Sequence, residues 1–558
     1  LGLAALGCGG DSVVRTAGSA VPLRGRYEVV ERFLDGRDAL TVVGDCNGDG
    51  RVDFVNMATL FVQRADGSFA PTMLEGMSGR KAGTMVDLDG DGAMDLVLAG
   101  TDVVWRRGDG ACGFGAPMRI APDVEGEPAQ ILVRDVDQDG LADLTVARQE
   151  RRERAFQLLV ARGDGRFDDR TPPPTPMARH QDVPYRTFAT FYDDVDGDGT
   201  LDLFALTDHD LGWFSWGVAG EAMTFAQDPA VTANITPISP MALSPLDVDR
   251  DGVFEYFVSG TFGNHRLYRY EGDRRLVDAA ARAGLREPGS RDDGWGTLAF
   301  DANLDGYPDL LVREEPDDHR GDGPVRLFVN RGDGTFALAP VIDAQLSGTS
   351  LACADFEADA RVSCLARDRG MRGLVLLRNR IEHRGAWVGV RLRGTVSSPD
   401  ASGAHVALDG ARPPLVVMAG GQSPTLGEHD RGVILALGAA TTASVTVTWP
   451  SGIVQHVTGL AAGRYATIVE PAALTLSTRV AAADGSSQVE VIADPRAVGA
   501  SAVNLLCEGV CAWIGPATVD AQGRHHRALV APASAGFSRV GLALDGVPLR
   551  VRPRVRWE

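Results

Sequence analysis

Short apolar runs of four to six residues, each ended by polar turn residues, recur through the first two thirds of the chain. ALTVV, GTMV, AQILV and GTLAF each lead into an acidic segment, and DFVNMA, DLVLAG, DLTVA, DLFAL and DLLVR follow one. A third run then leads into a Gly- and Asp-rich turn, as in LFVQRADGSF, QLLVARGDGRF and LFVNRGDGTF. Runs of this length between turn signals predict buried strands rather than helices. The unit is four strands, with the acidic segment between strands one and two.

The acidic segment repeats as a nonapeptide. It reads DCNGDGRVD at 45–53, DLDGDGAMD at 87–95, DVDQDGLAD at 135–143, DVDGDGTLD at 194–202, DVDRDGVFE at 247–255 and DANLDGYPD at 301–309. A degenerate seventh copy, DFEADARVS, lies at 355–363. The copies start 42 to 59 residues apart, a period of propeller blades. Radial repetition of four-stranded units leaves only short, protected edges. The expected fold class is all-β: a seven-bladed β-propeller over 26–380, a small β domain over 381–472 and an immunoglobulin-like β-sandwich over 473–558. The orphan strand Tyr27–Phe33 is expected to complete blade seven and shut the ring.

Alternating carboxylates on a tight loop converge on one point, and Gly at position six permits the sharp turn that aims the position-seven carbonyl inward. Hard oxygen ligands in that number suit Ca²⁺. The expected ligands are Asp45, Asn47, Asp49, Arg51 and Asp53; Asp87, Asp89, Asp91, Ala93 and Asp95; Asp135, Asp137, Asp139, Leu141 and Asp143. The set continues with Asp194, Asp196, Asp198, Thr200 and Asp202; Asp247, Asp249, Asp251, Val253 and Glu255; Asp301, Asn303, Asp305, Tyr307 and Asp309. Position seven contributes its main-chain carbonyl, and the carboxylate at nine closes the shell in bidentate fashion. About six Ca²⁺ are expected. The seventh loop lacks Gly at six (Ala360) and a carboxylate at nine (Ser363), and is expected to bind calcium poorly or not at all. The six intact loops hold 22 acidic side chains, more than the net charge of −20, so the acidity of the chain is that of its loops.

That charge excludes a nucleic-acid partner, which needs a basic stripe. Leu1–Gly7, an apolar run ending at Cys8, resembles the tail of a signal peptide at a lipoprotein cleavage site. Residues 9–25 read as a tether. Export is expected, to the outer membrane, periplasm, cell surface or medium, with membrane attachment only through a lipid on Cys8. The six remaining cysteines suit an oxidising compartment. Proximity suggests the pairs 353–364 and 507–511, leaving Cys46 and Cys112; free buried thiols are the alternative.

The repeats resemble the FG-GAP or VCBS repeats of integrin α-subunit propellers and of many secreted bacterial proteins. That resemblance implies metal loops on one face and ligands met by the 2→3 and 4→1 connections on the other. Residues 382–471 resemble the ASPIC/UnbV domain that follows such propellers in relatives of cartilage acidic protein. VTVTWPSGIVQHVTGLAAGRYATIVEP at 445–471 carries the likeness, with Trp449-Pro450-Ser451-Gly452 as signature.

Other motifs have plainer readings. Arg-Gly-Asp at 107–109, 162–164 and 331–333 falls on strand 3–4 turns, and another copy lies at 320–322. Gly348–Ala352 resembles a subtilisin nucleophile segment but has no Asp and His partners. His209, His265, His319 and His429 read as solvated loop residues rather than a zinc site. Asp292, Asp293, Trp295, Tyr185, Arg186, Trp213, Trp216 and the charged segments 148–154 and 314–323 are candidates for a face that takes a protein or carbohydrate. The leading expectation is an exported, calcium-binding, non-catalytic surface protein for adhesion or ligand binding. The rivals are a secreted polysaccharide-acting enzyme with its site opposite the calcium loops, and a scaffold for an envelope partner.

Overall fold

The computed structural model describes residues 23–33, 40–121, 124, 126–149, 154–171, 185–208, 212–219, 221–235, 238–316, 323–340, 342, 345–346, 349–368, 373–420, 427–510 and 512–558. The expectations for Cys8, Glu150, Arg151, Arg152, Glu153, His209, His319, Gly348 and Cys511, and for the 320–322 motif, lie outside the described residues. No helix among the described residues is long and apolar enough to cross a membrane.

Among the described residues, seven antiparallel sheets follow one another. The first runs Thr41–Gly44, Asp53–Asn56, Thr59–Gln63, Phe69–Met73, with each strand bonded to the next. The next five repeat this order, from Ala82–Val86 through Phe336–Ala339. The seventh is built from Leu351–Ala354, Ser363–Asp368 and Gly373–Asn379, and its fourth strand is Tyr27–Phe33, paired Tyr27 to Asn379 and Phe33 to Leu374. The two ends of the ring are therefore joined by hydrogen bonds within one sheet.

The first three strands of a sheet are almost wholly buried because each sheet packs against a neighbour on both faces. The outer strand is exposed, as in Phe69–Met73. Separate apolar cores fill every gap between consecutive sheets, and the last seam joins sheets seven and one. Phe33 closes that seam edge-on against Phe54, Phe61 and Phe69 at 5.1–5.7 Å. The architecture is an all-β propeller.

Beyond the ring, Ala386–Arg393 pairs with Val433–Gly438 and, in parallel, with Tyr465–Val469, while His405–Leu408, Val416–Met418, Thr442–Thr448 and Val454–Ala461 form a second sheet. Ser451 of the Trp-Pro-Ser-Gly turn donates its hydroxyl to buried Glu470 at 2.5 Å, and Glu470 also accepts the amides of Thr395, Val396 and Ser397 at 2.8 Å. The signature turn is thus a structural tie. Residues 474–557 form two further sheets. One apolar core runs through both C-terminal segments, from Val388 to Trp557.

Candidate metal centres

Each acidic loop lies between the first and second strands of its sheet and is cross-tied by its own side chains. In loops one, three and six the position-one carboxylate accepts the amides of positions five and six: Asp45 from Asp49 and Gly50, Asp135 from Asp139 and Gly140, Asp301 from Asp305 and Gly306, at 2.7–3.1 Å. The position-five carboxylate accepts the amide of position seven, as Asp49 does from Arg51 and Asp305 from Tyr307. Position six has φ between 83° and 94° in Gly50, Gly92, Gly140, Gly199, Gly252 and Gly306, the left-handed region where glycine is unstrained. Position four is left-handed too, and there Gln138, Arg250 and Leu304 bear the strain. The sequence reading missed this, because only three loops have glycine at that position.

The carboxylate at nine does more than the sequence suggested. In Asp53, Asp95, Asp143, Asp202 and Asp309 one oxygen accepts the position-two amide and the other accepts an amide at the end of the third strand, at 2.7–2.8 Å for the latter. These buried groups bolt three strands together, and Asp143 Oδ2 accepts the Asp137 amide as well. Glu255, one carbon longer, keeps a buried oxygen without a hydrogen-bond partner.

The remaining oxygens fit a hard cation. Ligand atoms of Asp87, Asp89 and Asp95, of Asp135, Asp137 and Asp143, and of Asp194, Asp196 and Asp198 lie within 4.8 Å of one another. Oxygens of Asp137, Asp194, Asp249 and Asn303 are buried without a hydrogen-bond partner. Burial pushes Asp53, Asp95 and Asp247 up to about 6 and Asp301 to about 7, and neighbouring loop carboxylates add to the rise. Asp202 rises to about 8 for the same reasons. A divalent cation would remove the repulsion and replace the lost solvation.

In the seventh loop Asp355 makes the same ties, to the amides of Asp359 and Ala360. Ala360 takes φ 66° without being glycine. Tyr465 of the following domain donates its hydroxyl to Asp355 at 2.9 Å. Cys353 and Cys364 form a disulfide beneath the loop, as proximity indicated. Cys46, at position two of loop one, pairs with Cys112 in the 3–4 hairpin of sheet two. Sequence separation hid that bond, which joins adjacent sheets.

The C-terminal domains sit on the loop face. Arg393 donates to Gly90 O in loop two, Arg550 to Asp194 in loop four, and Arg384 to Asp305 in loop six. Segment 427–432 enters the middle of the ring. The Glu428 carboxylate accepts Thr84 Oγ1 and the Met85 amide, at 2.5 and 3.0 Å. His429 Nδ1 accepts the Cys353 amide at 3.0 Å, and its Nε2 lies 2.9 Å from Thr297 O. His429 is therefore not a solvated loop residue.

The opposite face also differs from expectation. Trp213 and Trp216 are buried, stacked on Phe156 and bonded to Asp228. Trp295 packs edge-on against Phe188, and Asp293 accepts the Phe262 amide. Tyr185 is half-buried against Trp213. Aromatic residues that looked available from sequence serve the cores. His265, Glu287 and Glu314 bring ligand atoms within 4.8 Å. Yet His265 Nδ1 accepts the Gly260 amide, so Nε2 carries the proton and faces Glu314 at 3.3 Å. Arg326 pairs with Glu314, Glu287 and Asp292. The cluster lies buried between sheets five and six, with Arg326 offsetting its carboxylates. The Arg-Gly-Asp turns are hairpins: Asp164 and Asp333 accept the amides two residues on.

Ring, repeated loops and capping domain define a propeller of acidic-loop repeats. The chain carries FG-GAP-like repeats, matched at 87–146, 194–258 and 247–312, and an ASPIC and UnbV domain, matched at 394–475. No curated protein matches the chain. Among solved structures, an Agrocybe aegerita lectin described for recognition of non-reducing terminal N-acetylglucosamine is 17% identical, with a TM-score of 0.39, covering 57% of this chain and 81% of its own. The V. cholerae biofilm matrix protein Bap1 is 10% identical, with a TM-score of 0.27, covering 95% and 94%.

Proposed function

We propose that this chain is an exported, calcium-stabilised surface protein that binds a protein or glycan ligand and performs no catalysis. The observation that carries the reading is the recurrence of one preorganised acidic loop between the first two strands of six sheets, with buried oxygens left without partners. The FG-GAP-like repeats with an ASPIC/UnbV domain suggest a ligand-binding surface protein. Two disulfides support an oxidising compartment. Because the C-terminal domains rest on the loop face, the 2→3 and 4→1 connections are the surface left for a ligand.

Calcium here supports the fold. Extracellular calcium modules bind at about 10⁻⁴–10⁻³ M. A site at the tight end adds roughly 1.4 kcal/mol at millimolar calcium by mass action. The test is a glycan-array and envelope-protein binding screen with the full chain, in calcium and in EDTA, beside thermal melts in both. Calcium-dependent capture with a raised melting temperature is expected. An unchanged melt in metal-free protein sinks the calcium reading, and turnover of a captured glycan sinks the non-catalytic one.

A further inference from the structure

We propose that the third acidic loop takes no calcium because Arg554, from the chain's own last strand, holds the cation's place and clamps the C-terminal domain to the ring. The inference rests on the calcium reading of the other loops.

Loop three is intact in sequence but not open. Asp135, Asp137, Asp139 and Asp143 are all buried, whereas Asn47 and Asp49 of loop one are not. Arg554 Nη2 donates to Asp137 Oδ2 and to Asp139 Oδ2, the latter at 2.9 Å, and its Nε donates to Asp139 Oδ2 at 3.1 Å. The guanidinium thus bridges positions three and five. Two more arginines cap the loop backbone: Arg479 donates to Asp139 O at 2.6 Å and Arg539 to Asp137 O at 3.3 Å. The Arg552 amide donates to Gln138 O at 2.8 Å. A divalent ion entering here would meet three guanidiniums and a covering backbone. A Cβ on Gly140 would come within 2.4 Å of Val396 O, so the preceding domain also lies close on this loop.

Loops four and five also have an arginine across positions three and five, Arg274 and Arg269. Both belong to strand 3–4 hairpins or strands of the propeller itself, with side chains 43% and 29% exposed. They can turn into water when calcium arrives. Arg554, 17% exposed, is held by its strand. The alternation of this segment explains the placement: Val551, Pro553, Val555 and Trp557 are buried, while Arg552, Arg554 and Arg556 between them are only partly so. Arg550 reaches Asp194 in loop four and Arg556 reaches Asp168 on the outer strand of sheet three, at 2.8 and 2.7 Å.

The experiment counts calcium on the full chain by native mass spectrometry after exchange into millimolar calcium. One ion fewer than the number of intact loops is expected. Arg554→Met should restore the missing ion, and Asp137→Asn should cost none, whereas Asp196→Asn in loop four should cost one. A wild-type count equal to the number of intact loops overturns the proposal, as does loss of an ion in Asp137→Asn, which reads out even if Arg554→Met fails to fold. A count of zero fails the underlying calcium reading instead.

Discussion

Loops one and three share a pattern and the same internal hydrogen bonds, yet they face different surroundings. In both, the position-one carboxylate holds the amides of positions five and six. Loop one leaves Asn47 and Asp49 at the surface, with Arg51 of the same loop beside Asp49. Loop three lies beneath the C-terminal domain, with guanidiniums from three distant positions around it. The difference teaches that an intact ligand pattern specifies the shape of a loop, while its neighbours decide which cation it meets.

The largest effect should come from removing calcium. In EDTA the melting temperature should fall, by roughly 1.4 kcal/mol of stability for each loop that binds at the tight end. Hydrogen exchange should locate the loss. The amides of Asp49 and Gly50 should lose protection, while those of Asp139 and Gly140 should keep theirs; equal loss in both loops would erase the distinction.

Next in size is the clamp. In EDTA, Arg554→Ala should cost about 3–5 kcal/mol, since it strands buried carboxylates. Arg51→Ala in loop one should cost less than about 1 kcal/mol, because an exposed pair is screened. Denaturant titration of both variants gives the ratio, and similar costs would mean that the domain covers loop three without holding it.

Acid should act through the plug at the centre of the ring. Burial pushes His429 down to about 4 from its ordinary 6.5, and its unprotonated Nδ1 accepts the Cys353 amide. A depressed histidine contributes stability that is full above its unfolded value and is lost as pH falls towards the folded one. With calcium present, stability should therefore fall between pH 6.5 and 4, and His429→Gln should flatten that slope. Calcium-free loops have the opposite sign. Their raised carboxylates are penalised at high pH and relieved as they protonate, so a slope that reverses in EDTA separates plug from loops.

The smallest effect tests the degenerate loop. Ala360 holds φ 66° where the other loops have glycine. Ala360→Gly should raise stability by about 1 kcal/mol in thermal melts. No gain would mean that the disulfide and Tyr465 already fix the loop.

The strands were legible because a blade buries its first three strands on both faces, so apolar runs and the turns between them survive as local pattern. Gly50 and its counterparts announced the turn because backbone sterics act within one residue. Tyr27–Phe33 was legible by elimination, since one sheet lacked a strand. The aromatic residues misled: Trp213, Trp216 and Trp295 carry no local mark of the neighbour that buries them. His429 and His265 misled for the same reason. The arginines at 550, 552, 554 and 556 alternate in the sequence, but nothing there said what they would meet.

By itself, then, the sequence determined the repeat, the four-strand unit and the folded shape of each acidic loop, because these follow from hydrogen bonds and sterics within a few residues. Only the tertiary structure decided that Cys46 joins Cys112, that 427–432 enters the ring and that Arg554 lies in loop three. Those contacts span 66, 76 and 415 residues. Separations of that size leave no periodic trace, and the partners meet only after the ring and the C-terminal sheets have packed.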